Sequence, residues 1–237
     1  MASLLVIVPA YNEEACIGAV VHDARTILHA DVAVIDDGST DATGLRAAAA
    51  GARVVTLPFN LGVGGAIRTG LRYAVDRGYQ RVVQLDGDGQ HDVAEAKRLL
   101  DELEGGGADL VVGARFAAGY DVSRTRRLAM RILSRIVSRR LGTSVSDTTS
   151  GFRAMGPRAI ALFARRYPVD YLSDTVEALL IAGDAGLAVR EVDVRMRPRQ
   201  GGVPSASRPR SAYHLARLLI GVLVRATRGR AAPEVPT

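Results

Sequence analysis

Apolar residues along this 237-residue chain come in short runs separated by longer stretches of helical spacing. Leu4–Val8, Val32–Ile35, Arg53–Leu57, Arg81–Leu85 and Leu110–Val112 read as strands. They are apolar throughout rather than alternating, as strands of a sheet buried on both faces must be. Between them, Glu13–Leu28, Ala42–Ala50, Gly64–Asp76 and Val93–Leu103 carry helical periodicity. This alternation predicts right-handed βαβ units and an α/β fold, with a mostly parallel central sheet covered by helices on both faces.

After Gly113 the pattern changes. Arg124–Leu141 is helical and rich in arginine, and Ser144–Gly151 is a polar loop. Pro157–Ala164 and Asp174–Ala182 read as helices and Leu187–Arg195 as a strand. Arg197–Arg210 combines Arg, Gly, Pro and Ser and reads as a loop. His214–Arg228 is an apolar helix carrying arginines, and the closing AAPEVPT reads as disordered. No repeat and no second core is visible. The expected organisation is one domain over residues 1–210, followed by an amphipathic helix and tail over 211–237.

In open α/β sheets, ligands bind beyond the carboxyl ends of the strands. The polar motifs all fall at such ends. PAYNEE, residues 9–14, follows the first strand, where Pro9 ends the ladder and Asn12 can cap a helix. Asp36 and Asp37 end the second strand; Gly38 allows a tight turn, and Ser39, Thr40 or Asp41 can cap the next helix. A cap explains those three residues better than it explains two adjacent carboxylates, one of which can accept hydrogen bonds from a nucleobase or ribose. NLGVGGAIRTG, residues 60–70, offers backbone N–H groups to an anion, with Gly62 at its turn and Arg68 adding charge. It is neither GxGxxG nor a P-loop.

DGDGQ, residues 86–90, is the sharpest local signal. Two carboxylates one residue apart repel, and a shared cation removes the repulsion. Mg²⁺ takes a few carboxylates and completes its shell with water and substrate phosphate oxygens. Gln90 adds a neutral oxygen, whereas imidazole suits a hard oxygen site poorly, which leaves His91 without a role. The competing reading is an acidic turn that caps the helix beginning near Asp92. Asp147, in SDTTSGFR, reads on its own as a turn residue, and Asp174 and Glu177 as partners for arginines on one helical face.

Composition narrows the partners. The net charge is +6, carried almost wholly by arginine, with Lys97 the only lysine. Arginines crowd Arg115–Arg140, where Asp121 is the one acid. No stacking aromatics are interleaved with them, so nucleic acid is disfavoured and a phosphorylated ligand or an anionic membrane fits better. Cys16 is the only cysteine; it allows no internal disulfide and suits a reducing cytoplasm as a buried filler. The N-terminal apolar run is too short for a signal peptide, and Leu218–Val224 is far shorter than a membrane span. A cytoplasmic protein, soluble or peripheral on the inner membrane face, is expected.

In order, IVPAYNEE, VIDDGSTDAT, NLGVGGAIRTG, QLDGDGQHD, VVGARF and DTTSGFRAM resemble glycosyltransferase family 2, and within it the polyprenyl-phosphate (dolichol-phosphate) glycosyltransferases. The resemblance implies a GT-A fold and an inverting transfer of a hexose from a nucleotide-diphosphate sugar of the GDP-mannose or UDP-glucose type to a polyprenyl phosphate. It further implies Pro9, Tyr11, Glu13 and Asp37 at the base and ribose, with Mg²⁺ or Mn²⁺ held on the donor diphosphate by Asp86, Asp88 and Gln90. Arg115, Arg127, Arg131 and Ser134 would receive the acceptor phosphate, Asp147 would lie by the reacting centre, and Arg199 would sit on a loop over the donor. The spacing after Arg199, in RQGGVPS, departs from the family pattern. Asp88 and Asp147 are thus the expected catalytic carboxylates. The C-terminal helix is expected on the membrane surface, on the domain, or against a second copy in a homo-oligomer. The alternatives are transfer to a saccharide hydroxyl, a sugar-nucleotide pyrophosphorylase, or a non-catalytic nucleotide-binding scaffold.

Overall fold

The computed structural model describes residues 4–115, 124–169 and 174–197. In chain order the elements are β1 (Leu4–Ala10), α1 (Ile17–Leu28), β2 (Asp31–Asp36), α2 (Thr43–Ala49), β3 (Arg53–Thr56), α3 (Val63–Asp76) and β4 (Arg81–Gln84). They continue with α4 (Ala96–Glu102), β5 (Leu110–Arg115), α5 (Arg124–Leu141), β6 (Arg153–Met155), α6 (Pro157–Arg166), α7 (Asp174–Asp184) and β7 (Val189–Val194). The seven strands form one sheet in the order β3-β2-β1-β4-β6-β5-β7.

Both sheet faces are buried, and successive strand residues alternate between two cores. Leu5, Ile7, Ala33, Ile35 and Val82 join apolar residues of α3, α5, α6 and α7. Val6, Val8, Val32, Val34 and Val83 join those of α1, α2 and α4. That accounts for strands without polar alternation. β1, β2, β3 and β4 pair in parallel, as do β5 and β7. The strand over Arg153–Met155 was not expected. It is inserted antiparallel between β4 and β5. Running against its neighbours, it begins at the end of the sheet where they finish, so the polar segment before it arrives beside the other strand-end motifs.

Two boundaries also differ from expectation. β1 continues past Pro9 to Ala10, whose carbonyl accepts from Asp37 N–H. α1 begins at Ile17 rather than Glu13, because the backbone N–H groups of Asn12, Glu13 and Glu14 are bonded to side chains of the loop after β2 and of the first residue of α2.

Candidate active site

The loops after β1 and β2 hold each other in place. Asn12, Glu13 and Glu14 donate their amides to Ser39 Oγ, Thr43 Oγ1 and Asp41 Oδ2. In return Asn12 Oδ1 accepts from Thr40 N–H and Glu14 Oε2 from Ala42 N–H. Asn12 is no helix cap; it stands at φ 55°, a left-handed conformation its short side chain tolerates. Tyr11 is exposed on this platform, and Pro9 is buried beneath it.

In the glycine-rich turn after β3, two backbone amides are occupied by Asp37. Its carboxylate accepts from Leu61 N–H at 2.7 Å and Gly62 N–H at 2.8 Å. Gly62, at φ 82°, supplies the turn that aims both amides at it. Burial raises the Asp37 pKa, the two amides oppose this, and the adjacent Asp36 adds to it. Asp36 accepts from Ser39 N–H. Arg68 donates to the Arg165 carbonyl at the C-terminal end of α6, which ties α3 to that helix.

The DGDGQ turn follows β4. Asp88 is buried, and its Oδ1 accepts from Gln90 N–H at 3.0 Å, closing the turn on itself. The side chain of Asp86 is 40% exposed. Gly87 lies against the Pro9 carbonyl, Ala10 and Glu13, a spacing that a β-carbon would crowd. Asp92 accepts from Ala94 N–H and starts the single 3₁₀ turn that leads into α4, as expected of a cap. The turn thus offers two carboxylates and an amide oxygen. Among the described residues, no group of three or more His, Cys, Asp or Glu side chains forms a closed metal cage. An open, all-oxygen site fits Mg²⁺ or Mn²⁺, which leave part of their shell to water and phosphate.

Asp147 lies in the segment before β6. Its Oδ1 accepts from the Thr149 amide and hydroxyl, the turn role the sequence suggested. Glu191 on β7 pins this segment, accepting from Ser146 N–H, Ser146 Oγ–H and Asp147 N–H. Ser150 donates to the Gly113 carbonyl on β5. A β-carbon on Gly151 would stand 3.0 Å from Asp86 Oδ1, so this segment adjoins the acidic turn.

Beneath it lies a buried polar group. Arg153 is fully buried; its Nε donates to the Ser150 carbonyl and its Nη2 to the Thr175 carbonyl of α7. Asp174 faces the same region, and burial raises its carboxyl to about 6, with Arg153 opposing and Asp86 adding to the rise. Burial likewise raises the Tyr167 hydroxyl. Glu191 and Arg153 carry this region yet escaped the sequence reading. Nothing in SGFR marks its arginine as buried, and Glu191 has no motif to mark it.

For the acceptor residues, Arg131 is exposed on α5. Ser134 Oγ donates to the Val145 carbonyl at 2.6 Å, so its one proton anchors the loop before Asp147. Arg115 ends β5 and Arg127 lies within α5, but their side chains are outside the described set. Arg199, residues 198–210 and the expected C-terminal helix lie outside the described residues. Among the described residues, no helix is long and apolar enough to cross a membrane.

Several known proteins are similar to this chain. The polyprenol monophosphomannose synthase of Mycolicibacterium smegmatis is 36% identical over 162 residues, 63% of this chain and 60% of that protein. The match therefore spans less than two thirds of that relative's length. The UDP-N-acetylglucosamine--dolichyl-phosphate N-acetylglucosaminyltransferase of Methanococcus voltae is 28% identical over 212 residues, 81% of this chain and 84% of that one. Among solved structures, glucosyl-3-phosphoglycerate synthase from Mycobacterium tuberculosis, in complex with Mn²⁺, UDP-glucose and phosphoglyceric acid, has a TM-score of 0.75 at 25% identity. That match covers 96% of this chain and 81% of the other. The family model for Glycosyl transferase family 2 matches residues 5–162, from β1 through most of α6 and so across every strand-end motif described above. The chain belongs to glycosyl transferase family 2.

Proposed function

We propose that this chain is a glycosyltransferase that moves a hexose from a nucleotide-diphosphate sugar to a polyprenyl phosphate, with inversion and with Mg²⁺ or Mn²⁺. The observation that carries the reading is the meeting of three carboxylate-bearing segments at one end of the sheet. Asp37 is fixed at the β2 end, Asp86 and Asp88 at the β4 end, and Asp147 before the antiparallel β6. Relatives named for polyprenol monophosphomannose and for a dolichyl-phosphate acceptor support the acceptor class. The Mn²⁺ and UDP-glucose in the similar mycobacterial enzyme support the donor and the cation.

In this reading Pro9, Tyr11, Glu13 and Asp37 face the base and ribose, and Asp86, Asp88 and Gln90 hold the cation. When bound, the cation stabilises the negative charge that develops on the departing nucleoside diphosphate. Arg115, Arg127 and Arg131 neutralise the acceptor phosphate, while Ser134 shapes the loop beside it. A phosphate oxygen is already ionised near neutral pH and needs no strong base. It attacks the anomeric carbon on the face opposite the leaving diphosphate, and Asp147 orients it. Arg199 would belong to a donor-facing segment. Residues 211–237 would lie on the anionic inner face of the membrane.

Isothermal titration of UDP and of GDP with and without Mn²⁺ tests the donor site. Wild type is expected to gain affinity for one of them on adding Mn²⁺, and Asp88→Ala to lose that gain. Metal-independent binding of both nucleotides, unchanged in Asp88→Ala, would favour the scaffold reading.

A further inference from the structure

His91 closes the acidic motif, and the assignment above gives it no task. It is buried, with only 3% of its side chain exposed. Its Nδ1 accepts a hydrogen bond from Asp86 N–H at 3.0 Å. A neutral imidazole that accepts at Nδ1 carries its proton on Nε2. That Nε2 stands 3.5 Å from Asp86 Oδ2, so one ring spans both the backbone and the carboxylate of the same residue.

The need for an acceptor there follows from the sheet. Leu85 N–H still donates to the Ile7 carbonyl, the last ladder bond on this side of β4. The next amide, that of Asp86, leaves the ladder and bonds to His91 instead. The ring cannot easily turn away. It stacks on Phe152 with centroids 4.7 Å apart and planes 15° apart. Phe152 is held in turn by Gly113 and Ser150. The His91 backbone bridges to Met196, and the Gln90 carbonyl accepts from Arg197 N–H.

We propose that His91 is a positioning residue for the cation site, presenting Asp86 through its amide and its carboxylate in the orientation a divalent cation requires. This rests on the reading that Asp86 and Asp88 hold the cation on the donor diphosphate. Groups that orient metal ligands in this way typically change metal affinity about 10- to 100-fold when removed. A ring that merely filled the core would affect stability without singling out the metal.

The test follows the free Mn²⁺ signal by electron paramagnetic resonance as Mn²⁺ is titrated into the full chain with saturating UDP or GDP. Circular dichroism checks that each variant folds. His91→Phe keeps a stacking ring and removes the acceptor. His91→Gln moves its polar atoms toward the Nε2 position. His91→Asn places an amide oxygen where Nδ1 stood. The expected result is that Phe and Gln weaken Mn²⁺ binding about 10- to 100-fold, whereas Asn restores it to within a few-fold of wild type. Binding by Phe and Gln within twofold of wild type, with Asp88→Ala inactive in binding, overturns the role of His91 and leaves the cation reading standing. Wild type that binds no Mn²⁺ with either nucleotide overturns both. If His91→Phe does not fold, Gln against Asn decides, and equal weakening in the two overturns the proposal.

Discussion

Single carboxylates in this molecule do different work according to what surrounds them. Asp147 is turned inward onto Thr149, an interaction that an Asn oxygen can reproduce. With a phosphate acceptor, Asp147→Asn is therefore expected to keep kcat within about 10-fold; a loss of about 10²- to 10⁴-fold would instead mark a general base. Asp174 is the opposite case, because burial raises its carboxyl to about 6, above the ordinary 3.8. The folded state then holds this proton more tightly than the unfolded state. The cost of its charge is fully present above pH 6 and is relieved as pH falls toward 4. Roughly two pH units correspond to an effect on the order of 3 kcal/mol. Urea unfolding should therefore show Asp174→Asn gaining on wild type as pH rises from 4 to 7. Parallel stability curves for the two proteins would contradict the assignment.

Among the elements, close approach seats the start of α3 against the segment after α6. A β-carbon on Gly64 would stand 2.2 Å from the Pro168 carbonyl and 3.1 Å from Val169 Cα, both backbone atoms that cannot swing aside. Gly18 on α1 has nothing within 4 Å. Thermal unfolding should show Gly64→Ala destabilised by about 1–3 kcal/mol and Gly18→Ala neutral or stabilised by about 0.4–1 kcal/mol. Equal shifts would contradict the packing. Periodicity made most elements legible, because strands buried on both faces and amphipathic helices leave unmistakable patterns. It missed β6, since Arg153–Met155 is three residues long and begins with a buried arginine, which reads as loop. It also extended α1 back to Glu13, because a spacing rule cannot see that those amides bond across to Ser39, Asp41 and Thr43. The acidic turn was legible as a pair of carboxylates at a strand end. The acceptor for Asp86 N–H was not, because a histidine five residues on has no signature until the strand end is seen in three dimensions.

At the scale of the whole molecule, a parallel sheet interrupted by one antiparallel strand gathers its polar loops at a single end. In the proposed reading, the carboxylates at the strand ends and the arginines of α5 supply the chemistry, while the apolar face of α5 joins one of the two cores. Net charge of +6 suits the two proposed substrates, both of which carry phosphate. The most direct test is transfer itself. Radiolabelled GDP-mannose, UDP-glucose and UDP-N-acetylglucosamine are each incubated with Mn²⁺ and a short polyprenyl phosphate, with 3-phosphoglycerate and a saccharide as rival acceptors. The proposed transfer requires that at least one donor yield an organic-extractable glycosyl phospholipid with wild type, and that Asp88→Ala yield none. Label passing to 3-phosphoglycerate or the saccharide, with no lipid product from any donor, would contradict it.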